Sequence, residues 1–245
     1  MEAREIEFFK KQMESNLHKA SMGTVTLTNF LDATKLAYLE NLKEPFAEIV
    51  TDGGFENAEH QRAIFKPEGL AIQTFKIKIY EIIYPKRYLE LTHRKVLGSL
   101  MGLGIKRDSI GDIWMDGTSV YFACTEEIAS YIIASYKTIS GIPIELKEVQ
   151  ERLTIERELR EENHIVSSMR LDVILASAYK LSRAEALERI AEGAVSLNHM
   201  VCLNSSKLVA EDDIISVRHK GRIYVGRIGG KTKSGRLNIK LGFLS

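Results

Sequence analysis

The sequence predicts an α+β protein with a helical N-terminal part, a middle part with the element order β-α-β-β-α-β, and a C-terminal αα-hairpin followed by short strands. Two changes of hydrophobic period support this prediction. Apolar residues recur with helical spacing over the first 66 residues, alternate with strand spacing from residue 75, and return to helical spacing at 171–191. We therefore expect domains at 1–67, 68–148 and 165–245, and a charged linker over 149–164.

Length and composition agree with several small folded domains. The chain has 245 residues, of which 44% are hydrophobic and 27% charged, which is ordinary usage for globular proteins. No stretch approaches the roughly 18 apolar residues of a membrane span, and the charged start lacks the apolar segment of a signal peptide. Cys124 and Cys202 belong to no paired-cysteine motif, and the histidines show no metal-ligand spacing. We therefore expect reduced thiols, no metal, no cofactor and a cytoplasmic location.

The N-terminal region is predicted to contain two helices. The first carries an apolar stripe at helical spacing: Ile6, Phe9, Met13, Leu17 and Ala20. The second begins after Asp32 and places three leucines on one side: Leu36, Leu39 and Leu42.

A turn is predicted at Asp52-Gly53-Gly54, and Arg62 is expected on a following helix. Residues 1–66 hold 8 basic and 11 acidic residues, a net charge of −3. This region is therefore expected to pack or to contact protein rather than to bind a polyanion.

The middle region alternates between strand and helix patterns. Phe75 to Ile79 alternates like a half-buried strand, Thr92 caps a helix, and Asp116-Gly117 is a favoured hairpin turn. Thr125 begins a second helix, and Ile142 to Leu146 is a last strand. This order is the ferredoxin-like (RRM-like) arrangement of many RNA-recognition domains. Their aromatic-rich sheet is missing, so only Tyr121 or Phe122 could be a stacking platform.

Basic and titratable residues gather at the start of the first helix of this region, where they oppose the helix dipole unless an anion lies nearby. The sequence predicts either a second RNA patch or a solvated first turn, and it does not decide between them. The candidate residues are His93, Arg94, Lys95, Lys106 and Arg107.

The C-terminal region is predicted to begin with two helices and to continue as a tight hairpin. Leu171 to Ala178 carries an apolar stripe, and Ser182 with Glu185 forms a capping box for the second helix. Gly193 ends that helix, and Asn198-His199 separates two short alternating runs.

This region resembles the RNA-binding domain named after the fourth small-subunit ribosomal protein, the S-four-type domain. The resemblance implies that four residues shape or line an RNA surface: Arg170, Ser182, Arg183 and Asn198. His199 departs from the family pattern, in which a glycine usually completes the turn.

Charge supports RNA binding independently of the resemblance. Residues 165–245 hold 13 basic and 7 acidic residues, whereas 1–164 hold 21 and 26, and no acidic residue follows Ile214. Such a tail suits phosphate contacts, although basic side chains on an edge strand also block aggregation. Lys233 is also interpreted as a phosphate contact. The predicted RNA-binding residues are Arg170, Lys180, Ser182, Arg183, Arg189, Asn198, Arg218, Lys220, Arg222 and Arg227.

Nearly the whole chain resembles the YlmH family, whose members are encoded beside bacterial cell-division genes. The resemblance rests on the S-four-type region and on short motifs: Asp52-Gly53-Gly54, Ala58-Glu59, Arg62, Leu91 to Gly98, Leu103 to Arg107, and Ile110-Gly111-Asp112-Ile113. It implies a ribosome-associated protein that binds rRNA or tRNA and acts with peptidyl-tRNA on the large ribosomal subunit when translation stalls. No heptad seam argues for a dimer, so we expect a monomer. The alternative is a protein-interaction factor in cell division with accessory RNA binding.

An RNA-modifying enzyme is the less favoured interpretation. Arg170-Leu171-Asp172 imitates the run around a pseudouridine synthase nucleophile, but it lies inside the binding module and only 23 residues, Ile223 to Ser245, follow that module. Asp112 and Asp116 could resemble paired carboxylates, and structural use is favoured for both. No catalytic residues are therefore predicted.

Overall fold

The computed structural model describes residues 3–71, 74–117, 119–156, 159–232 and 234–244. The chain divides into two compact units, Met1–Glu156 and Arg157–Ser245. The first unit combines the two domains predicted for 1–67 and 68–148.

The N-terminal part of the first unit is mixed rather than helical. Its two helices are α1 (Ala3–Ser21) and α2 (Ala33–Leu39), and its strands are β1 (Thr26–Leu31), β2 (Ala47–Asp52) and β3 (Gln61–Pro67). The strands form an antiparallel sheet in the order β1-β3-β2. The two predicted helices are thus confirmed, whereas the wholly helical domain and the helix at Arg62 are wrong.

The central position of β3 explains why its sequence lacks the alternation of a half-buried strand. Met13, Leu17 and Ala20 of α1 pack with Ala63 and Phe65 of β3 in one core. The opposite side of β3 is buried as well, so five consecutive residues of this strand are inaccessible. Strands buried on both faces show nearly continuous burial rather than a period of two.

The middle part of the first unit has the expected order of elements. These are β4 (Ile77–Ile83), α3 (His93–Met101), β5 (Ile110–Asp116), β6 (Ser119–Thr125), α4 (Glu126–Ser135), the short hairpin of β7 (Thr138–Ile139) and β8 (Ile142–Pro143), and β9 (Glu145–Val149). The four longer strands form an antiparallel sheet in the order β5-β6-β4-β9. Thr92 caps α3 by accepting a hydrogen bond from the Lys95 amide, as predicted.

Both faces of this four-stranded sheet carry buried apolar residues. On one face, Tyr80 and Phe122 pack with Val96 and Leu100 of α3 and with Ile132 of α4. The other face contributes a second core, in which sheet residues meet the N-terminal strands and the segment after β9: Phe30, Phe55, Ala58, Ile79, Ala123 and Ile155. This second core unites the two predicted domains.

The second unit contains a six-stranded sheet with two helices. Its elements are β10 (Leu159–Val166), α5 (Leu171–Tyr179), α6 (Arg183–Ala191), β11 (Val195–Leu197), β12 (Met200–Val201), β13 (Ile214–Val217), β14 (Gly221–Lys231) and β15 (Leu237–Leu244). The strand order is β10-β15-β14-β13-β11-β12, and all pairs are antiparallel. Much of the predicted linker 149–164 is therefore strand, because β10 continues the sheet beside β15.

One face of the six-stranded sheet is covered by both helices. Ile174 and Leu175 of α5 and Ile190 of α6 pack with Val217 and Ile223 of the sheet. Alternate residues of the strands must point to the opposite face, because side chains in a strand alternate. No helix among the described residues is long and apolar enough to cross a membrane.

Candidate nucleic-acid interface

The buried carboxylate of Asp172 organises the helical side of the second unit. Arg170 donates from Nε and Nη2 to Asp172 over 3.0 and 3.1 Å, and Arg183 donates from Nε over 3.2 Å. Asp172 is inaccessible to solvent, whereas the Arg183 side chain is 65% exposed. The carboxylate therefore holds two guanidinium groups at the surface, and the three side chains carry a net charge of +1.

The protonation of Asp172 is set by its arginine partners. Burial by itself would raise the pKa of this carboxyl, but the hydrogen bonds from Arg170 and Arg183 outweigh burial and place the pKa below its usual value. Asp172 is thus an anionic acceptor of three hydrogen bonds, and its burial keeps the carboxylate from a substrate, which the nucleophile role imitated by the Arg170-Leu171-Asp172 run would have to reach.

Backbone amides in the first turn of α5 are not available to bind an anion, because they donate to carbonyls of the segment 205–208. The Leu171 amide donates to the Lys207 carbonyl over 2.9 Å, and the Asp172 amide donates to the Ser205 carbonyl over 3.1 Å. Two of the amides that a helix start offers are therefore occupied by the chain itself.

The start of α6 carries the predicted capping box. Ser182 Oγ accepts from the Glu185 amide, and the Glu185 carboxylate accepts from the Ser182 amide. These bonds and the nearby charges of Arg189 and Lys220 lower the pKa of Glu185. Lys220 Nζ also lies 5.7 Å from the ring centre of Tyr179.

The exposed Asn198 has a structural role at the hairpin turn. Asn198 and His199 both have positive φ, of 49° and 67°, as a two-residue hairpin turn requires. The Asn198 side-chain amide donates to Asp213 Oδ1 over 2.8 Å, and its oxygen accepts from the Ile214 amide over 2.9 Å. These bonds fix the hairpin against β13, and the RNA contact at Asn198 stays a prediction.

The remaining predicted cations lie on or beside the six-stranded sheet. Arg218 and Lys220 are exposed in the turn between β13 and β14. Arg222 and Arg227 belong to β14. Lys180 is exposed and caps α5 in the left-handed conformation, with φ of 53°. Lys233 lies outside the described residues.

The predicted second patch in the first unit is only partly available. Arg107 donates to the Ile110 carbonyl over 2.5 Å and contacts His60 Nε2 over 3.2 Å, and Lys95 Nζ donates to the Glu90 carbonyl. Burial and the neighbouring Arg107 lower the pKa of His93, so its imidazole is mainly neutral at pH 7. Arg94 and Lys106 are exposed.

The two proposed stacking residues of the first unit are engaged in packing. Phe122 is fully buried between the sheet and its helices. Tyr121 stacks on Trp114 with ring centres 5.4 Å apart, and Trp114 meets Phe55 edge to face. The face of the four-stranded sheet that carries Tyr121 and Trp114 therefore packs against other residues of the first unit.

Arg62 and Asp112 likewise hold the first unit together. Arg62 is 3% exposed and donates to the carbonyls of Thr28 and Lys76, each over 2.7 Å, as well as to Glu127. Asp112 accepts from the Glu59 and His60 amides and from His60 Nδ1. The structural use predicted for Asp112 is confirmed. Arg62 also has a structural role, because it links β3 to β1 and to Lys76.

Comparison with known proteins finds a family match for one region in each unit. Residues 71–152 match a family model described as the putative RNA-binding domain in YlmH, and residues 169–215 match the S4 domain. The solved structure of "Cell division protein ylmH from Streptococcus pneumoniae" is similar with a TM-score of 0.51 at 25% identity. The similarity covers 61% of this chain and 93% of that one.

A curated relative from Bacillus subtilis (strain 168) is 30% identical over 220 residues, which cover 87% of this chain and 85% of the relative. The chain belongs to the YlmH family. This Bacillus member of the YlmH family is named "Ribosome-associated protein quality control protein P2". The S4 match ends at residue 215, so β10, β14 and β15 extend the YlmH-family chain beyond that domain.

The predicted RNA-binding residues do not include Asp172, whose carboxylate holds Arg170 and Arg183 in place. Asp172 lies eleven residues before Arg183, a spacing that no local pattern connects.

Proposed function

We propose that this protein is a noncatalytic RNA-binding factor that associates with the ribosome and contacts rRNA and tRNA. The observation that carries this proposal is the pair of surface guanidinium groups held by buried Asp172 within the S4 region. A guanidinium held in place binds a phosphate with less loss of side-chain freedom, and it does so in bidentate geometry. The name of the Bacillus relative supports the ribosome as the partner.

The proposed RNA surface of the helical side combines this pair with the neighbouring cations. Arg183 and Arg170 hold phosphates, and further contacts come from Lys180, Ser182, Arg189 and Lys220. Arg94 and Lys106 form a smaller second contact in the first unit. Acting as a cytoplasmic monomer, the protein would meet the large subunit carrying peptidyl-tRNA during quality control of stalled translation.

The decisive experiment is co-sedimentation with separated ribosomal subunits over a salt series. We expect saturable, salt-sensitive binding to the large subunit, stronger when the subunit carries peptidyl-tRNA, because phosphate contacts release counterions. The variant Arg183→Gln/Lys220→Gln should bind more weakly. Glutamine is preferred to glutamate at residue 183, since a carboxylate there would repel buried Asp172.

A matched control removes two positive charges from the acidic N-terminal region. Lys19→Gln/Lys43→Gln changes two side chains far from the S4 region in sequence and should leave binding unchanged. Absence of binding to either subunit at low salt would overturn the proposal.

A role in cell division is the second candidate, favoured by the name of the Streptococcus protein. A pull-down before and after nuclease treatment separates the two. A division protein that binds directly stays associated when RNA is destroyed, whereas a partner bridged by the ribosome is lost.

A further inference from the structure

The six-stranded sheet of the second unit has an outer face, opposite the face that α5 and α6 cover. Register places its residues in rows: Ser196, Ser216 and Arg222 are partners across three strands, and Tyr224 is the partner of Gly242. Their neighbours Ile215, Ile223 and Leu241 are fully buried on the inner face. The outer face is therefore a sheet surface with an aromatic residue near its middle.

The charge of this face is positive. Strands β13, β14 and β15 contain no acidic residue, and they carry Arg222, Arg227 and Lys240. Lys240 Nζ is paired with the Glu161 carboxylate of β10 over 2.8 Å, and the Glu211 carboxylate accepts from the Ile228 amide of β14, so the three cations and these two carboxylates leave a net charge of +1. Such a surface is complementary to a polyanion.

Two grooves lie on either side of Tyr224. One is lined by Ser196, Val201, Ser216, Arg218 and Arg222. The other is lined by Asn163, Arg227, Gly229, Asn238 and Lys240. From Arg222 to Gly226, β14 spans roughly 13 Å at the usual rise of a strand. A chain of phosphates can thus follow the grooves while one base lies over the aromatic ring.

Several residues near Tyr224 on this face are small. Ser196, Ser216, Gly226 and Gly229 have small or no side chains, and a Cβ at Gly226 would lie 3.3 Å from the Lys240 carbonyl oxygen. The half-buried Tyr224 ring therefore has no side chain beside it at Gly226, whereas Arg222 lies on its other side along the strand and Ile214 is its cross-strand partner. Aromatic rings on basic sheet surfaces bind unpaired bases by stacking, irrespective of sequence.

We propose that the outer face of this sheet binds single-stranded RNA, with Tyr224 stacking on a base and Arg222, Arg227 and Lys240 contacting phosphates. This site lies mostly outside the S4 match and opposite the helical side. The inference rests on the proposed function as an RNA-binding protein and adds the class of RNA and a second contact surface.

The test measures binding of a fluorescein-labelled oligouridylate by anisotropy, using the full chain. Tyr224→Leu should weaken binding by about 5-fold to 150-fold, because the variant loses the ring on which a base stacks. Tyr224→Phe should retain most of the affinity, since it keeps the ring. Arg227→Gln/Lys240→Gln should reduce the slope of log affinity against log salt by about 1.4 for two lost contacts with single-stranded RNA.

The control experiments separate this site from the proposed ribosome function. Equal affinities of wild type and Tyr224→Leu for oligouridylate, with ribosome binding intact, would overturn the site alone. Stacking that depends on Tyr224, without ribosome binding, would support the site and overturn the ribosome proposal. An RNA duplex or polyglutamate that binds as tightly as oligouridylate would show a general anion surface and overturn the assignment to single-stranded RNA.

Discussion

Asp172 shows how one buried residue sets the character of an exposed surface. Its carboxylate accepts three hydrogen bonds from Arg170 and Arg183, and these outweigh the burial that would otherwise raise its pKa. These bonds therefore hold the two guanidinium groups, which are always charged, where a phosphate could meet them. A residue that sequence analysis could mistake for a nucleophile is an anchor for two cations.

The Asp172→Asn variant tests this anchor through the pH dependence of stability. The pKa of Asp172 is lowered in the folded protein, so its stabilising effect is complete above the ordinary carboxyl pKa of about 3.9 and is lost as pH falls below it. We expect wild type to unfold at higher temperature than Asp172→Asn at pH 7, with the gap closing below pH 4.

Differential scanning calorimetry between pH 3 and 7 measures the gap. The free energy of unfolding of wild type should exceed that of Asp172→Asn by about 1–3 kcal/mol at pH 7, which is the usual cost of disturbing buried hydrogen bonds. A gap that stays constant over the whole pH range would contradict the role assigned to the charge.

At the scale of elements, the fold requires glycine at some positions and could accept a larger residue at others. In the turn after β2, a Cβ on Gly53 would collide with Ala58 Cβ and lie 2.5 Å from the His60 carbonyl oxygen. Gly54 has a φ of +86°, and its amide donates to Asp52 over 2.6 Å. By contrast, Gly98 lies inside α3, where a Cβ would have no atom within 4 Å.

Two alanine substitutions are therefore expected to have opposite effects. Gly98→Ala should stabilise the first unit by about 0.5–1 kcal/mol, because glycine inside a helix loses more backbone entropy on folding than alanine does. Gly53→Ala should destabilise it by about 1–3 kcal/mol or more, because the backbone at His60 must move. Urea unfolding followed by the fluorescence of Trp114, the one tryptophan, gives both values. A destabilising effect of Gly98→Ala would show that α3 is packed more tightly there than the structure indicates.

At the scale of the whole molecule, the boundary between the two predicted N-terminal domains is a continuous core. Phe30 of β1 packs over Gly111 of β5, where a Cβ would lie 2.6 Å from the Phe30 ring. Asp112 links β5 to residues 59 and 60 before β3, and Arg62 links β3 to β1 and to Lys76 before β4. Several of the short motifs on which the resemblance to the YlmH family is based thus take part in packing inside the first unit.

Fragments of the chain test this organisation. We expect 1–156 and 157–245 to fold separately, because each is a compact unit with its own cores. The fragment 68–148 should aggregate or unfold at lower temperature, since it exposes Ile79 and Ala123, which the N-terminal strands cover. Circular dichroism and size-exclusion chromatography of the three fragments measure these outcomes. A monomeric, cooperatively folding 68–148 would contradict the shared core.

The sequence by itself determined the features that depend on neighbouring residues. Examples are the stripe of α1, the caps at Thr92 and Ser182, the turn at Asn198-His199 and the excess of positive charge after Ile214. These are properties of a few consecutive residues or of composition, so local spacing is sufficient to identify them.

Only the tertiary structure decided which partners meet across long separations. β3 is buried on both faces and so lacks an alternating pattern, Arg62 reaches Glu127 across 65 residues, and Asn198 is held by Asp213. Strand register shows that Tyr224 and Lys240 lie on the same face of the sheet. Burial and register arise from contacts that the folded chain creates, and a local pattern does not contain them.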